Sequence, residues 1–125
     1  MATNSPPTRC DEGDQDVVVG AVTVPAASRD RIKLNLALCK AAFRILVFLD
    51  GDKKIDRAPV NDAFEYSLPS LSSGDHDLQW SYLAAGNDWQ IKSEVSIDGA
   101  TCFLERKANV AAVADQQTLL TLRVQ

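Results

Sequence analysis

Apolar and polar residues alternate with a period of two over much of this chain. Ile32, Leu34, Leu36 and Leu38 alternate with Lys33, Asn35 and Ala37. Leu78, Trp80 and Tyr82 alternate with Asp77, Gln79 and Ser81, and Trp89, Ile91, Val95 and Ile97 are interleaved with Gln90, Lys92, Glu94 and Ser96. Successive side chains of a β-strand point to opposite faces, so this pattern predicts strands with one dry and one wet face. Residues 17–24 are β-branched and stop at Pro25, which predicts a first strand. A last one is expected over residues 118–124. The stretch 43–49 is dry on both sides, since Leu46 and Phe48 are apolar as well, and is expected to be a central strand. Asp50-Gly51 and Asp98-Gly99 are turn signals. Residues 107–117 fit a loop or a short helical turn.

Two registers bring apolar residues together. With residues 39–42 as a connection, Leu38 meets Phe43, Leu36 meets Ile45, Leu34 meets Val47 and Ile32 meets Leu49. This fits a hairpin, and equally two strands facing each other across a sandwich through an arch. With residues 85–88 as a loop, Ala84 meets Trp89, Tyr82 meets Ile91, Trp80 meets Ser93 and Leu78 meets Val95. That pairing predicts an antiparallel hairpin with one wet face. The fold class expected is all-β: an antiparallel β-sandwich of immunoglobulin-like size with about seven to eight strands. It should span residues 16–125 as one domain behind a flexible acidic tail over residues 1–15, with edges at the first strand and at the last.

Composition narrows the function classes. An apolar fraction of 46% in 125 residues supports one hydrophobic core. Asp11, Glu12, Asp14 and Asp16 face only Arg9 in the first 16 residues, so most of the net charge of −4 sits there. No Lys/Arg cluster exists, and no Lys or Arg lies between Arg57 and Lys92, which argues against nucleic acid as a partner. With no basic, apolar leader and no membrane-length apolar run, the expected location is cytoplasmic, with an extracellular one left open. Cys10, Cys39 and Cys102 have no metal-ligand spacing. Three reduced thiols are therefore expected, a Cys39–Cys102 bridge being the alternative.

Candidate chemistry is sparse. The stretch Asp50-Gly51-Asp52-Lys53-Lys54-Ile55-Asp56 resembles the opening of a calcium loop, but Lys54 replaces an oxygen ligand and Ile55 a glycine. Asp75 and Asp77 flank the single histidine, His76, yet adjacent strand residues point to opposite faces. Ser70, Ser72 and Ser73 are candidate nucleophiles without a nucleophile-elbow motif. Glu65, Glu94 and Glu105 are carboxylates without an evident cleft. No catalytic residue, metal or cofactor is assigned. Trp80, Tyr82 and Trp89 fall on the dry side, with Trp89 ending its strand beside a loop. The expectation is therefore a non-enzymatic module that binds a protein partner or self-associates through a sheet face, a sheet edge or end loops. The alternative is a glycan- or small-ligand-binding sandwich that uses Trp89, Asn87, Asp88 and Tyr66.

Overall fold

The computed structural model describes residue 10 and residues 15–85, 88–109 and 113–125. Among these are nine strands: β1 (Ala21–Val24), β2 (Ile32–Cys39), β3 (Ala42–Leu49), β4 (Asp52–Val60), β5 (Ala63–Ser67), β6 (Gly74–Ala85), β7 (Trp89–Ile97), β8 (Ala100–Asn109) and β9 (Val113–Val124). A single 3₁₀ turn spans Ala26–Ser28. The strands form a five-stranded sheet in the order β1-β9-β6-β3-β4 and a four-stranded sheet in the order β5-β2-β7-β8. All neighbours are antiparallel except β1 and β9. The two sheets pack face to face as a β-sandwich. The residues expected to form a loop or helical turn over 107–117 are strand on both sides of residues 110–112, which lie outside the described residues.

Local sequence sets the two hairpins. Asp50 and Gly51 both have positive φ, as do Asp98 and Gly99, with values from 53° to 84°. Two successive left-handed residues make the tight turn whose twist matches paired strands, and Asp-Gly tolerates it best. These turns join β3 to β4 and β7 to β8. The edge strand β4 is heavily charged, with Lys53, Lys54, Asp56 and Arg57, and carries Pro59, which cannot donate to a ladder and so belongs at an edge.

The expected pairing of residues 78–84 with 89–97 is corrected by the topology. β6 pairs with β3 and β9, whereas β7 pairs with β2 and β8, so β6 and β7 belong to different sheets. The connection from β2 to β3 is likewise an arch. Alternation reports only that both strands turn their apolar side to a common interior, and that is satisfied across the sandwich as well as along a ladder. One facing pair survives in this form: Trp80 Nε1 donates to Ser93 Oγ at 3.1 Å across the core. β3 is central, between β6 and β4. The last strand is not an edge, because β9 lies between β1 and β6.

The inward side chains of β2, β3, β6, β7 and β9 fill one core. Leu34, Ile45, Val47, Leu78, Trp80, Val95, Leu120 and Leu122 have no exposed surface. Phe43, Tyr82 and Trp89 form a triangle of edge-to-face contacts with centroids 5.9–6.2 Å apart, and Trp80 meets Phe103 at 5.4 Å. Such pairs add about 0.5–1.5 kcal/mol each beyond their buried area.

The expectation of three thiols is corrected too. Cys10 and Cys39 form a disulfide, and only Cys102 is a free thiol. A Cys39–Cys102 bond is ruled out by register. Cys39 sits in the Gln90 row on the outer side of its sheet, while Cys102 hydrogen-bonds to Val95 O. Five rows separate them, roughly 17 Å at ~3.4 Å per residue, against the ~7 Å limit between Cα atoms of a disulfide. Cys10, expected in a free tail, is only 3% exposed. The remainder of that tail, residues 1–9 and 11–14, lies outside the described residues.

The Trp80–Ser93 bond provides a test of the interior. Ser93→Ala strands the indole N–H in the core and should cost about 1–3 kcal/mol of stability by urea unfolding.

Candidate functional site

Of the ligand residues expected from sequence, Trp89 and Asp88 lie at one end of the sandwich and Tyr66 lies on β5. Trp89 is 1% exposed, its ring packed between Phe43 and Tyr82, so it offers no stacking surface to a sugar. Its Nε1 is buried and finds no hydrogen-bond partner among the described residues. Asp88 is exposed, has φ 59° and pairs with Lys40 at 3.4 Å. Asn87 lies outside the described residues. Tyr66 sits in β5 opposite Leu34 and is partly buried against the core, which pushes its hydroxyl pKa up. Leu34 and Lys40 are six positions apart along one strand direction, so Tyr66 is roughly 20 Å from the Trp89 end at ~3.4 Å per residue.

The opposite end of the sandwich brings together residues that sequence considered separately. Asp50, at the first position of the β3–β4 turn, continues the β3–β6 ladder by donating its N–H to Asp77 O at 2.8 Å. Its Oδ1 accepts the Asp77 N–H at 2.8 Å, and its Oδ2 lies 2.6 Å from His76 Nδ1. His76 Nε2 lies 2.8 Å from the Ser72 carbonyl oxygen and 3.3 Å from Ser72 Oγ. The acid that reaches His76 is therefore Asp50, 26 residues away, rather than either sequence neighbour. The register that seats Asp50 on Asp77 is the signal that sequence lacked.

An acid, an imidazole and a serine in line resemble a hydrolytic triad, but the geometry assigns another role. A carbonyl oxygen can only accept, so Nε2 must donate to Ser72 O; Nδ1 must donate to the Asp50 carboxylate. Only the doubly protonated ring satisfies both. A general base needs a free lone pair facing the nucleophile, and here Nε2 is engaged by the Ser72 backbone. The surface hollows beside Phe64, Arg31 and Phe43 are lined by other residues. The hydrogen bond to Asp50 raises the His76 pKa, and the Ser72 carbonyl adds to this. Burial works against ionisation of Asp50, but the bonds from His76 and Asp77 outweigh it and lower its pKa. The cluster is an ionic clamp that ties the β3–β4 turn and the connection before β6 to the start of β6.

The other carboxylates are also engaged separately. Asp56 accepts from Arg44 Nε and Nη2, both at 3.0 Å, and from Lys53 Nζ at 3.2 Å, which pull its pKa down to about 2. Asp50 and Asp56 thus point to different partners, and the resemblance to a calcium loop does not extend to its geometry. Glu65 pairs with Lys33, Glu94 accepts from Thr101 Oγ1, and Glu105 accepts from Thr118. No group of three or more acidic, His or Cys side chains converges on a metal-sized centre among the described residues.

The outer face of the five-stranded sheet carries a feature that alternation alone overlooks. On β3 and β6 the outward rows are Arg44–Leu83, Leu46–Ser81 and Phe48–Gln79, and Gln79 continues the last row to Leu119 on β9. Leu83 is 41% and Leu119 53% exposed, and Leu46 and Phe48 are half-buried. Beside Leu83, a hollow of about 300 Å³ is lined by Ala42, Phe43, Arg44, Ala58, Pro59 and Ala84. The sequence signal for this face is apolar residues in the polar phase: Leu46 and Phe48 within 43–49, Leu83 beside Tyr82, and Leu119 beside Leu120. Compared with protein-family models, with curated proteins and with solved structures, the chain matches none. No helix among the described residues is long and apolar enough to cross a membrane.

The clamp makes stability depend on pH with a defined sign. The His76 pKa is raised above its ordinary 6.5, so its contribution is complete below that value and is lost as pH rises through the folded pKa. Asp50 is lowered from 3.8, so its contribution is present above that value and is lost as pH falls through the folded pKa. His76→Gln should therefore destabilise by about 1–2 kcal/mol near pH 5. That difference should shrink toward pH ~9 in chemical unfolding curves of both proteins.

Proposed function

We propose that this chain is a non-enzymatic interaction module that presents the outer face of its five-stranded sheet to a protein partner. One observation carries the reading: Leu46, Phe48, Leu83 and Leu119 lie on a face where their row partners on β3 and β6 are Arg44, Ser81 and Gln79. Each of these side chains is left partly in water and forgoes a share of the ~1.5–3 kcal/mol that full burial is worth, a share that association recovers. The surrounding residues suit a protein rather than a lipid surface. Arg44, Lys53 and Asp56 form a mixed-charge rim at one side, and Gln79, Ser81 and Gln117 offer hydrogen bonds between the apolar groups. The hollow beside Phe43 and Pro59 is suited to one apolar anchor side chain from the partner.

Site-specific photocrosslinking in native extract tests this. A photoreactive residue replacing Gln79, at the centre of the face, should give discrete protein adducts. The same residue replacing Glu94, on the outer side of the other sheet, should not. Adding Leu83→Asp with Leu119→Asp should remove the adducts at least ten-fold while leaving the unfolding free energy within about 1 kcal/mol, as for surface changes. Equal adducts from positions 79 and 94, or adducts indifferent to the aspartates, would overturn the reading.

A further inference from the structure

The N-terminal stretch closes one open side of the sandwich and touches both sheets in doing so. Asp16 accepts from Arg106, at 2.5 Å from Nη1 and 3.1 Å from the backbone nitrogen. Val17 and Leu104 exchange both backbone hydrogen bonds, at 2.8 and 2.9 Å, on the edge of β8. The chain bends at Gly20, whose carbonyl accepts from Thr121 N, and then runs as β1 parallel to β9 on the edge of the other sheet. Val24 O accepts from Gln125 N at 2.9 Å. Within ten residues the strap bridges the edge of β8 at Leu104 and pairs along the edge of β9, where N–H and C=O groups would otherwise be unpaired.

The strap is held by these backbone bonds, by one covalent bond and by Val22 and Val24, which pack into the core. Val17, Val18 and Val19 are 45%, 58% and 38% exposed, so these side chains are only partly shielded. Val24 alone is fully buried. Upstream, the Cys10–Cys39 disulfide fixes the chain to β2, with Cys10 Sγ near the carbonyls of Ala37 and Gln90. Downstream, Arg31 and Ser28 bind Asp98 and anchor the base of the connection, leaving Pro25 and the residues beside it as the hinge.

We infer that residues 15–24 are an exchangeable strap whose partner is a second copy of this chain, and that the Cys10–Cys39 bond is the lock. Closed, the bond keeps the strap on its own chain. Reduction by a dithiol transfers two electrons and two protons to the bond, giving the Cys10 and Cys39 thiols and the oxidised dithiol. The freed strap then pairs with β8 and β9 of another copy through the same hydrogen bonds that it makes on its own chain, and receives that copy's strap in return. The surface left by the departing strap is complementary to the arriving one by identity of sequence. Valines that shield one molecule weakly shield the other equally well, so exchange sacrifices no contact of the folded unit.

The experiment uses the full chain carrying Cys102→Ser, to exclude crosslinks from the free thiol, and Leu83→Asp with Leu119→Asp, to exclude association through the outer face. Mass by light scattering behind size exclusion should be that of one chain when oxidised. It should double on reduction with dithiothreitol at high protein concentration, and also in Cys10→Ser. Reoxidising the concentrated reduced protein should give a covalent dimer whose peptides join Cys10 of one chain to Cys39 of the other. Several results would overturn the inference. They are a single-chain mass in both reduced protein and Cys10→Ser, reoxidation that returns only the intramolecular bond, unfolding on reduction, and a dimer that forms equally in the oxidised protein.

Discussion

Two arches, β2 to β3 and β6 to β7, impose the constraint from which the rest of this molecule follows. Each sends the chain from one sheet to the other within a few residues, so the inward side chains of consecutive strands must fit one another across the core. The two arched segments also lie side by side: β3 pairs with β6, and β2 pairs with β7. The four longest apolar rows are thereby committed to one interior. Trp80 reaching Ser93, and Tyr82 and Phe43 closing on Trp89, are the points at which the sheets are keyed together. A one-residue slip in any of these strands would turn its whole apolar row to water.

This arrangement explains how far the sequence could be read. Period-two alternation identifies which side of a strand is dry, and every residue assigned to the dry side of 32–38, 78–84 and 89–97 faces the core, except that the pattern pauses at the buried Ser93. The same alternation cannot distinguish a neighbour in the sheet from a neighbour across it, because both place apolar against apolar. Trp80 meets Ser93 in either case. The Asp-Gly turns were legible because their positive φ requirement is local. The disulfide was not, because it joins a residue from a polar leader to the outer side of β2, and nothing in the spacing of Cys10, Cys39 and Cys102 encodes that approach.

Strand phase and ladder register explain where the candidate site residues lie. Trp89 resembled a ligand platform because it ends its strand beside a loop, yet it belongs to the inward phase of β7, and phase decided its burial. His76 resembled an isolated histidine because its flanking acids diverge, as alternation requires. Its true partner, Asp50, arrives through the β3–β6 ladder, one step beyond the Leu49–Leu78 pair. The face around Leu83 and Leu119 was legible in principle as apolar residues out of phase, but adjacent large core residues conceal that signal when each strand is read for its dominant period alone.

Edges and faces of this sandwich are treated differently, and the difference bears on what the molecule can meet. β4 is guarded by charge and by Pro59, and β8 and β1 are joined by the stretch that includes Val17. Backbone pairing with strangers is thus discouraged on β4 and at the Val17–Leu104 bridge on β8, and the other two edges, β1 and β5, are only four and five residues long. The outer face of the five-stranded sheet receives no such protection: Leu119 and Leu83 stand in water, and Phe48 lies between Gln79 and Lys53. On the proposed reading, short or guarded edges beside a broad face with apolar groups favour recognition by side-chain complementarity. Such recognition discriminates between partners, whereas an open edge accepts any extended chain.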